Sequence, residues 1–177
     1  MRRAPVDSRG FTLVEILVVM LIIGIVAAGM MLSLGVLGRD REVDAERDRI
    51  EALARLAREE SVQQGREFGL RFFVGGYEFA AYEPRVNRWD ALVGDRSLRR
   101  REWPTGIEAA LRVEGRPVVL PKPDALDRTP QIVFFGSGEI STFELTVARG
   151  GSDEGFRLRS GAKGDDIEVL AVSGARQ

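Results

Sequence analysis

Between Phe11 and Gly38 the chain runs through FTLVEILVVMLIIGIVAAGMMLSLGVLG, in which Glu15 is the one ionisable side chain. As an α-helix this stretch would be about 42 Å long, at ~1.5 Å per residue. A bilayer core is only about 30 Å thick. A helix that is apolar on every face does not suit the surface of a soluble domain, so the run is read as a membrane-spanning segment. Its lone carboxylate then needs a reason. A mid-membrane carboxylate costs on the order of 2.5–3.5 kcal/mol, and intramembrane ionisable groups usually pair.

Arg2, Arg3 and Arg9 precede the run, while Arg39, Arg41, Arg47 and Arg49 follow it. Charge alone does not orient such a segment, but a long following domain tends to translocate whatever its charge. The N-terminus is therefore expected in the cytoplasm and the C-terminal part outside it. Three fates compete for the segment. A secretory signal would be cut after it, near Val26-Ala27-Ala28, and a plain anchor would not be cut. Cleavage between Gly10 and Phe11 would leave the apolar helix at a new N-terminus. Only this third fate gives Glu15 a role. It creates an α-ammonium four residues ahead of the carboxylate, and the partner is either that ammonium or the one on a neighbouring subunit.

The stretch RGFTLVEILVVMLIIGI resembles the N-terminus of type IV pilins and pseudopilins, matching at Gly10, Phe11, Thr12, Leu13 and Glu15. The resemblance implies cleavage after Gly10 by prepilin peptidase, N-methylation of Phe11, and guidance of subunit docking by Glu15. Many pilins carry a proline partway along this helix, and none occurs here before Gly38. Gly24 and Gly29 would weaken the helix by about 1 kcal/mol each relative to alanine, or serve close helix packing.

After Gly38 the sequence changes to RDREVDAERDRIEALARLAREESVQQG. Val43, Ile50, Leu53, Leu56, Ala57 and Val62 recur at helical spacing and define one apolar stripe. Glu51–Arg55 and Arg55–Glu59 are i,i+4 pairs on the solvated side, and Gly65 is placed to end the helix. From Phe68 the period becomes that of strands. FGLRFFV and YEFAAYE flank Gly75-Gly76 as a hairpin. RWDAL, SLRRREW, IEAALRV–EG–RPVVL, QIVFFGSGEI, TFELTVAR, GFRLRS and IEVLAV continue the pattern. The expected fold is α+β, a long N-terminal helix packed on antiparallel β-sheets, pilin-like. The expected divisions are a cleaved leader at 1–10, a transmembrane and assembly helix at 11–38, its amphipathic continuation at 39–65, and a periplasmic β-rich domain at 66–177.

RLAREESVQQGREFGLRF, GYEFAAYEPRVNRWDAL and FFGSGEISTFELTV together resemble the H-type minor pseudopilins of type II secretion, in the GspH/FimT family. The likeness is sharpest at the N-terminal motif and at Gly138-Glu139 followed by Phe143-Glu144-Leu145. It is loose over 92–129, where variable loops are expected. It implies a structural subunit of the periplasmic pseudopilus, near its tip, that drives protein export. The implied partners are other pseudopilins, prepilin peptidase and an inner-membrane secretion platform. The implied location is the inner membrane, with one pass, and the pseudopilus after assembly. The alternative reading is a FimT-like minor type IV pilin that binds DNA or another ligand.

Enzyme chemistry has little to work with. The chain has no histidine and no cysteine, which removes the usual imidazole base, thiolate nucleophiles and the common zinc ligands. Gly136-Ser137-Gly138-Glu139 lacks the spacing of a nucleophile elbow and reads as a turn. Asp153-Glu154 and Asp165-Asp166 lack the alternation of a calcium loop. No catalytic residue, metal or cofactor is expected. Arg96, Arg99, Arg100 and Arg101, beside Trp103, form the one basic cluster, with Arg99, Arg100 and Arg101 its candidate anion-binding residues. On a chain of net charge −1 these arginines fit a solvated strand edge that discourages edge pairing better than a nucleic-acid surface.

Overall fold

The computed structural model describes residues 13–92, 94–151 and 154–173; of residues 28–40, Glu154 and Ser173 only the backbone is described. Gly10 and Phe11, the residues of the expected cleavage site, lie outside the described residues. Helix α1 extends over Leu13–Gln64, and ten strands follow it. The chain divides into two compact units, Met1–Arg39 and Asp40–Gln177.

In the first unit every described aliphatic side chain from Leu13 to Val26 is exposed, between 44% and 82%. Over these described residues the helix offers apolar surface all round. Among the described residues no helix is long and apolar enough to cross a membrane. The expected spanning segment, 11–38, begins before the described residues, and of its residues 28–38 only the backbone is described.

In the second unit α1 buries Val43, Glu46, Ile50, Leu53, Ala54, Ala57 and Ser61, a stripe at helical spacing. Leu56 is half-buried. Val62, expected on this stripe, is instead 48% exposed, and Ser61 takes the buried position. A polar side chain is tolerated there because its hydroxyl lies between the carbonyl oxygens of Arg58 (2.7 Å) and Phe135 (3.1 Å). The helix ends at Gly65, which has φ +61°. Gly65 N–H donates to Val62 O and Arg66 N–H to Ser61 O, the paired bonds of a Schellman ending.

One sheet is built from β1 (Phe68–Phe73), β2 (Gly76–Glu83), β3 (Arg88–Ala91), β4 (Arg101–Glu102) and β7 (Ile132–Phe134). Its order is β3-β2-β1-β7, with β4 also on β2. The other holds β5 (Ile107–Val113), β6 (Arg116–Val118), β8 (Phe143–Arg149), β9 (Glu154–Ser160) and β10 (Ile167–Ser173), in the order β10-β9-β8-β5-β6. Every pairing is antiparallel. The β1–β2 hairpin turns at Gly75, φ +91°. The β5–β6 hairpin turns at Glu114-Gly115, both with positive φ, as a two-residue loop matched to strand twist requires. SLRRREW contributes only the two residues of β4. Ahead of it the Asp95 carboxylate accepts the Ser97 and Leu98 N–H groups at 2.6 and 2.8 Å, and this local turn displaces the expected strand.

The β1–β2 register sets Phe68 opposite Ala81, Leu70 opposite Phe79 and Phe72 opposite Tyr77. These side chains join Ile50, Leu53 and Ala57 of α1 and Leu111, Leu145, Val147, Phe156 and Leu158 of the second sheet in one core. All six residues of β1 are nonetheless buried, so its far face is covered as well. The cover is the segment between β6 and β7. Val74 N–H donates to Pro121 O at 2.9 Å. The Gln131 side chain bonds Phe72 N–H and Phe72 O at 2.8 and 3.1 Å. Pro130 lies so close to Gly69 that a Cβ there would overlap its ring.

Candidate functional site

Glu15 stands in the first turn of α1. There a carboxylate is favoured by the positive end of the helix dipole, an effect of about 0.3–1 kcal/mol near a surface. Its described neighbours are exposed aliphatic side chains, and from Leu13 to Ala27 it is the one ionisable side chain. Such a stretch of helix can be sheathed by lipid or by copies of itself.

The basic cluster is divided by the fold. Arg101, in β4, is half-buried and donates to Ser97 O at 3.1 Å. Arg100 reaches the far face of the first sheet, where its guanidinium lies 4.3 Å from the Phe73 ring centroid and donates to Pro123 O at 3.3 Å. Arg99 projects into solvent, and Arg96 is exposed as well. Trp103 turns inward and is 8% exposed. It stacks on Phe72 at 6.3 Å and packs on Tyr77 at 4.8 Å. The aromatic ring beside the arginines is therefore core, with no face left for a nucleic-acid base.

Two arginines outside the expected cluster join it in space. Arg128, from the covering segment, and Arg49, from α1, line cavities that Arg99 and Arg100 also line. Beneath Arg100 lies a buried ion pair that alternation could not reveal. Arg71 Nη1 donates to Glu78 Oε1 at 2.9 Å across the β1–β2 register, with Arg71 1% and Glu78 4% exposed. Arg100 and Arg128 approach the other Glu78 oxygen only to 3.9 and 4.0 Å.

A second buried carboxylate, Glu46 of α1, is 1% exposed. It accepts from Tyr77 Oη at 2.8 Å and pairs with Arg49. Burial, and then the Glu46 charge, push the Tyr77 phenol well above its ordinary range.

The residues weighed for other chemistry are held in structural roles. Ser137 sits exposed in a turn where Gly138, φ +90°, donates to Phe135 O at 2.8 Å. Arg58 Nε in turn donates to Gly138 O at 2.9 Å, so the turn is docked on α1. Asp166 accepts the Ile167 N–H and the Arg55 guanidinium, both at 2.7 Å. Asp153 lies outside the described residues. Among the described residues no group of three or more acidic side chains is placed to hold a metal ion.

Comparison with known proteins places this geometry. Residues 7–31 match the prokaryotic N-terminal methylation motif, and residues 46–164 match the type II transport protein GspH family. The type II secretion system protein H of Aeromonas hydrophila is 36% identical over 170 residues, covering 92% of each chain. That of Pseudomonas aeruginosa is 35% identical over 166 residues, covering 85% of this chain and 94% of its own. The crystal structure of the minor pseudopilin EpsH of Vibrio cholerae superposes with a TM-score of 0.64 at 19% identity, over 77% of this chain and 99% of that one. The solution structure of Escherichia coli GspH superposes with a TM-score of 0.59 at 17% identity, over 78% of this chain and 94% of that one. The α+β pilin-like fold is shared with both. The chain belongs to the GspH family of type II secretion pseudopilins, behind an N-terminal methylation motif.

Proposed function

We propose that this chain is a structural subunit of a periplasmic pseudopilus, placed near its tip, that serves protein export across the outer membrane. The observation that carries the reading is the carboxylate of Glu15 in the first turn of α1, whose other described side chains from Leu13 to Ala27 are apolar and exposed. In this reading prepilin peptidase removes residues 1–10 and Phe11 is N-methylated. The apolar segment anchors the subunit in the inner membrane by one pass, with the β-rich domain in the periplasm.

Assembly is mechanical. Glu15 pairs with the Phe11 ammonium of a neighbouring subunit, and the helix leaves lipid for a fibre core that is equally apolar. The transfer therefore costs little hydrophobic free energy, while the charge pair selects register. The secretion platform supplies the work, since the chain has no phosphate-binding loop of its own. The two relatives named as secretion proteins favour a secretion system over a DNA-binding minor pilus.

The test is Glu15→Val in the full-length chain. Membrane insertion should be retained and secretion lost, because the substitution makes the segment more apolar while removing the docking charge. Wild-type secretion by this variant would refute the docking role. Intact mass should show the loss of Met1–Gly10 and the gain of one methyl group. A new terminus at Gly29 would point instead to an ordinary secretory signal.

A further inference from the structure

We propose that the ridge formed by Arg99 and Arg100 is a docking site for an acidic peptide segment of a partner protein. The two arginines stand between two cavities. One, of about 420 Å³, is lined also by Glu78, Arg128, Ala91 and Leu92. The other, of about 390 Å³, is lined also by Arg49, Arg101 and Glu102.

The charge on this ridge is not used up within the protein. Glu78 is the carboxylate of the first cavity, and its Oε1 is already taken by the buried Arg71 at 2.9 Å. Arg100 and Arg128 lie 3.9 and 4.0 Å from its other oxygen, beyond hydrogen-bonding distance. Arg99 is exposed and makes no hydrogen bond among the described residues. Three guanidinium groups thus border one cavity whose only carboxylate is neutralised from behind. Arg100 is also held in place, over the Phe73 ring and against Pro123 O, so little side-chain freedom remains to be lost on binding.

The chemistry of the pocket selects the ligand. Guanidinium forks match carboxylates in bidentate pairs. Ala91 and Leu92 give the first cavity an apolar wall beside them, so an acidic segment carrying an aliphatic residue fits best. A nucleic acid fits worse. Its sugar-phosphate backbone has no aliphatic group to set against Ala91 and Leu92, and Trp103 offers no stacking face.

The experiment uses the full-length chain in detergent micelles and a fluorescein-labelled peptide Glu-Asp-Leu-Glu-Asp, read by anisotropy. Saturable binding is expected, weakening about tenfold when salt rises from about 50 to about 300 mM, because the Debye length shrinks. Arg99→Glu should weaken it about tenfold or more by reversing a charge at short range. Its circular dichroism should stay unchanged, since Arg99 holds nothing in the fold. Arg96→Glu, outside both cavities, should bind as the wild type does. Unchanged affinity in Arg99→Glu would overturn the proposal, as would equal weakening in Arg96→Glu. Displacement of the peptide by an equimolar 20-base-pair DNA duplex would overturn it in favour of a nucleic-acid surface. These outcomes are independent of the Glu15 secretion assay, so either proposal can fail alone.

Discussion

The Tyr77 hydroxyl donates to Glu46 Oε1 at 2.8 Å, joining the second strand to α1 through two side chains that are both buried. Burial and the adjacent carboxylate raise the phenol above its ordinary value. A raised value means that the native fold favours the neutral phenol. The stabilisation is complete below about pH 10, where an unfolded tyrosine ionises, and it is lost as pH rises beyond that. In a Tyr82→Phe background, which leaves Tyr77 as the only tyrosine, phenolate absorbance should appear only together with unfolding. A reversible ionisation near pH 10 with the fold intact would contradict this.

Tyr77→Phe keeps the ring and deletes the donor. Glu46 retains Arg49 but loses its partner on Oε1, which should cost about 1–3 kcal/mol. Urea unfolding of the full-length chain in detergent, followed by far-ultraviolet circular dichroism, measures it.

The Arg71–Glu78 pair makes a sharper contrast. Glu78→Ala leaves the Arg71 charge buried without its carboxylate and should destabilise by about 3–5 kcal/mol, whereas replacing both residues with Met and Leu should recover most of the loss. Equal destabilisation by the single and double variants would show that packing, rather than the uncompensated charge, dominates at this position.

Gly65 adopts φ +61°, and a Cβ built there meets nothing within 4 Å. Its replacement therefore tests backbone strain alone. Gly65→Ala should cost about 1–2 kcal/mol, the penalty for a left-handed alanine, and Gly65→Asn less, because asparagine tolerates this conformation. The same unfolding midpoints compare the two.

Asp166 is held below the usual carboxylate range, first by the Ile167 N–H and then by Arg55. The sign follows from the direction of the shift. Its contribution is present above about pH 4, the ordinary aspartate value, and is lost as pH falls through the lowered native value. Asp166→Asn should therefore be less stable than wild type at pH 7, and the gap should close as pH drops below about 4. A gap that stays constant down to pH 2 would assign the loss to hydrogen-bond geometry instead of charge.

The elements that local chemistry controls were legible in the chain. Gly65 ends α1 because only a residue at ease with positive φ completes that cap, and Gly75 and Gly115 close hairpins for the same reason. The stripe from Val43 to Ala57 follows from helical periodicity alone. Even here the last turn misled. Val62 has the right spacing, yet a hydroxyl that can meet the Phe135 carbonyl puts Ser61 in the buried position instead.

Sequence by itself thus determined the N-terminal methylation motif that contains Glu15, the helix-then-strands order and the absence of histidine and cysteine, since each is a matter of residue type and local spacing. Tertiary structure decided which charges are buried, and where the basic cluster points. Arg71 and Glu78 read as ordinary polar residues of a two-faced hairpin. They are buried because the segment 121–131, remote in sequence, lies over the outer face. Likewise Arg99, Arg100 and Arg101 are consecutive in the chain, but only Arg101 lies in a strand, and the irregular backbone before it lets the three side chains part. Packing draws Arg101 towards Tyr77 and lays Arg100 over Phe73, bringing Arg128 beside it. Burial and convergence depend on contacts between distant segments, and no local pattern encodes them.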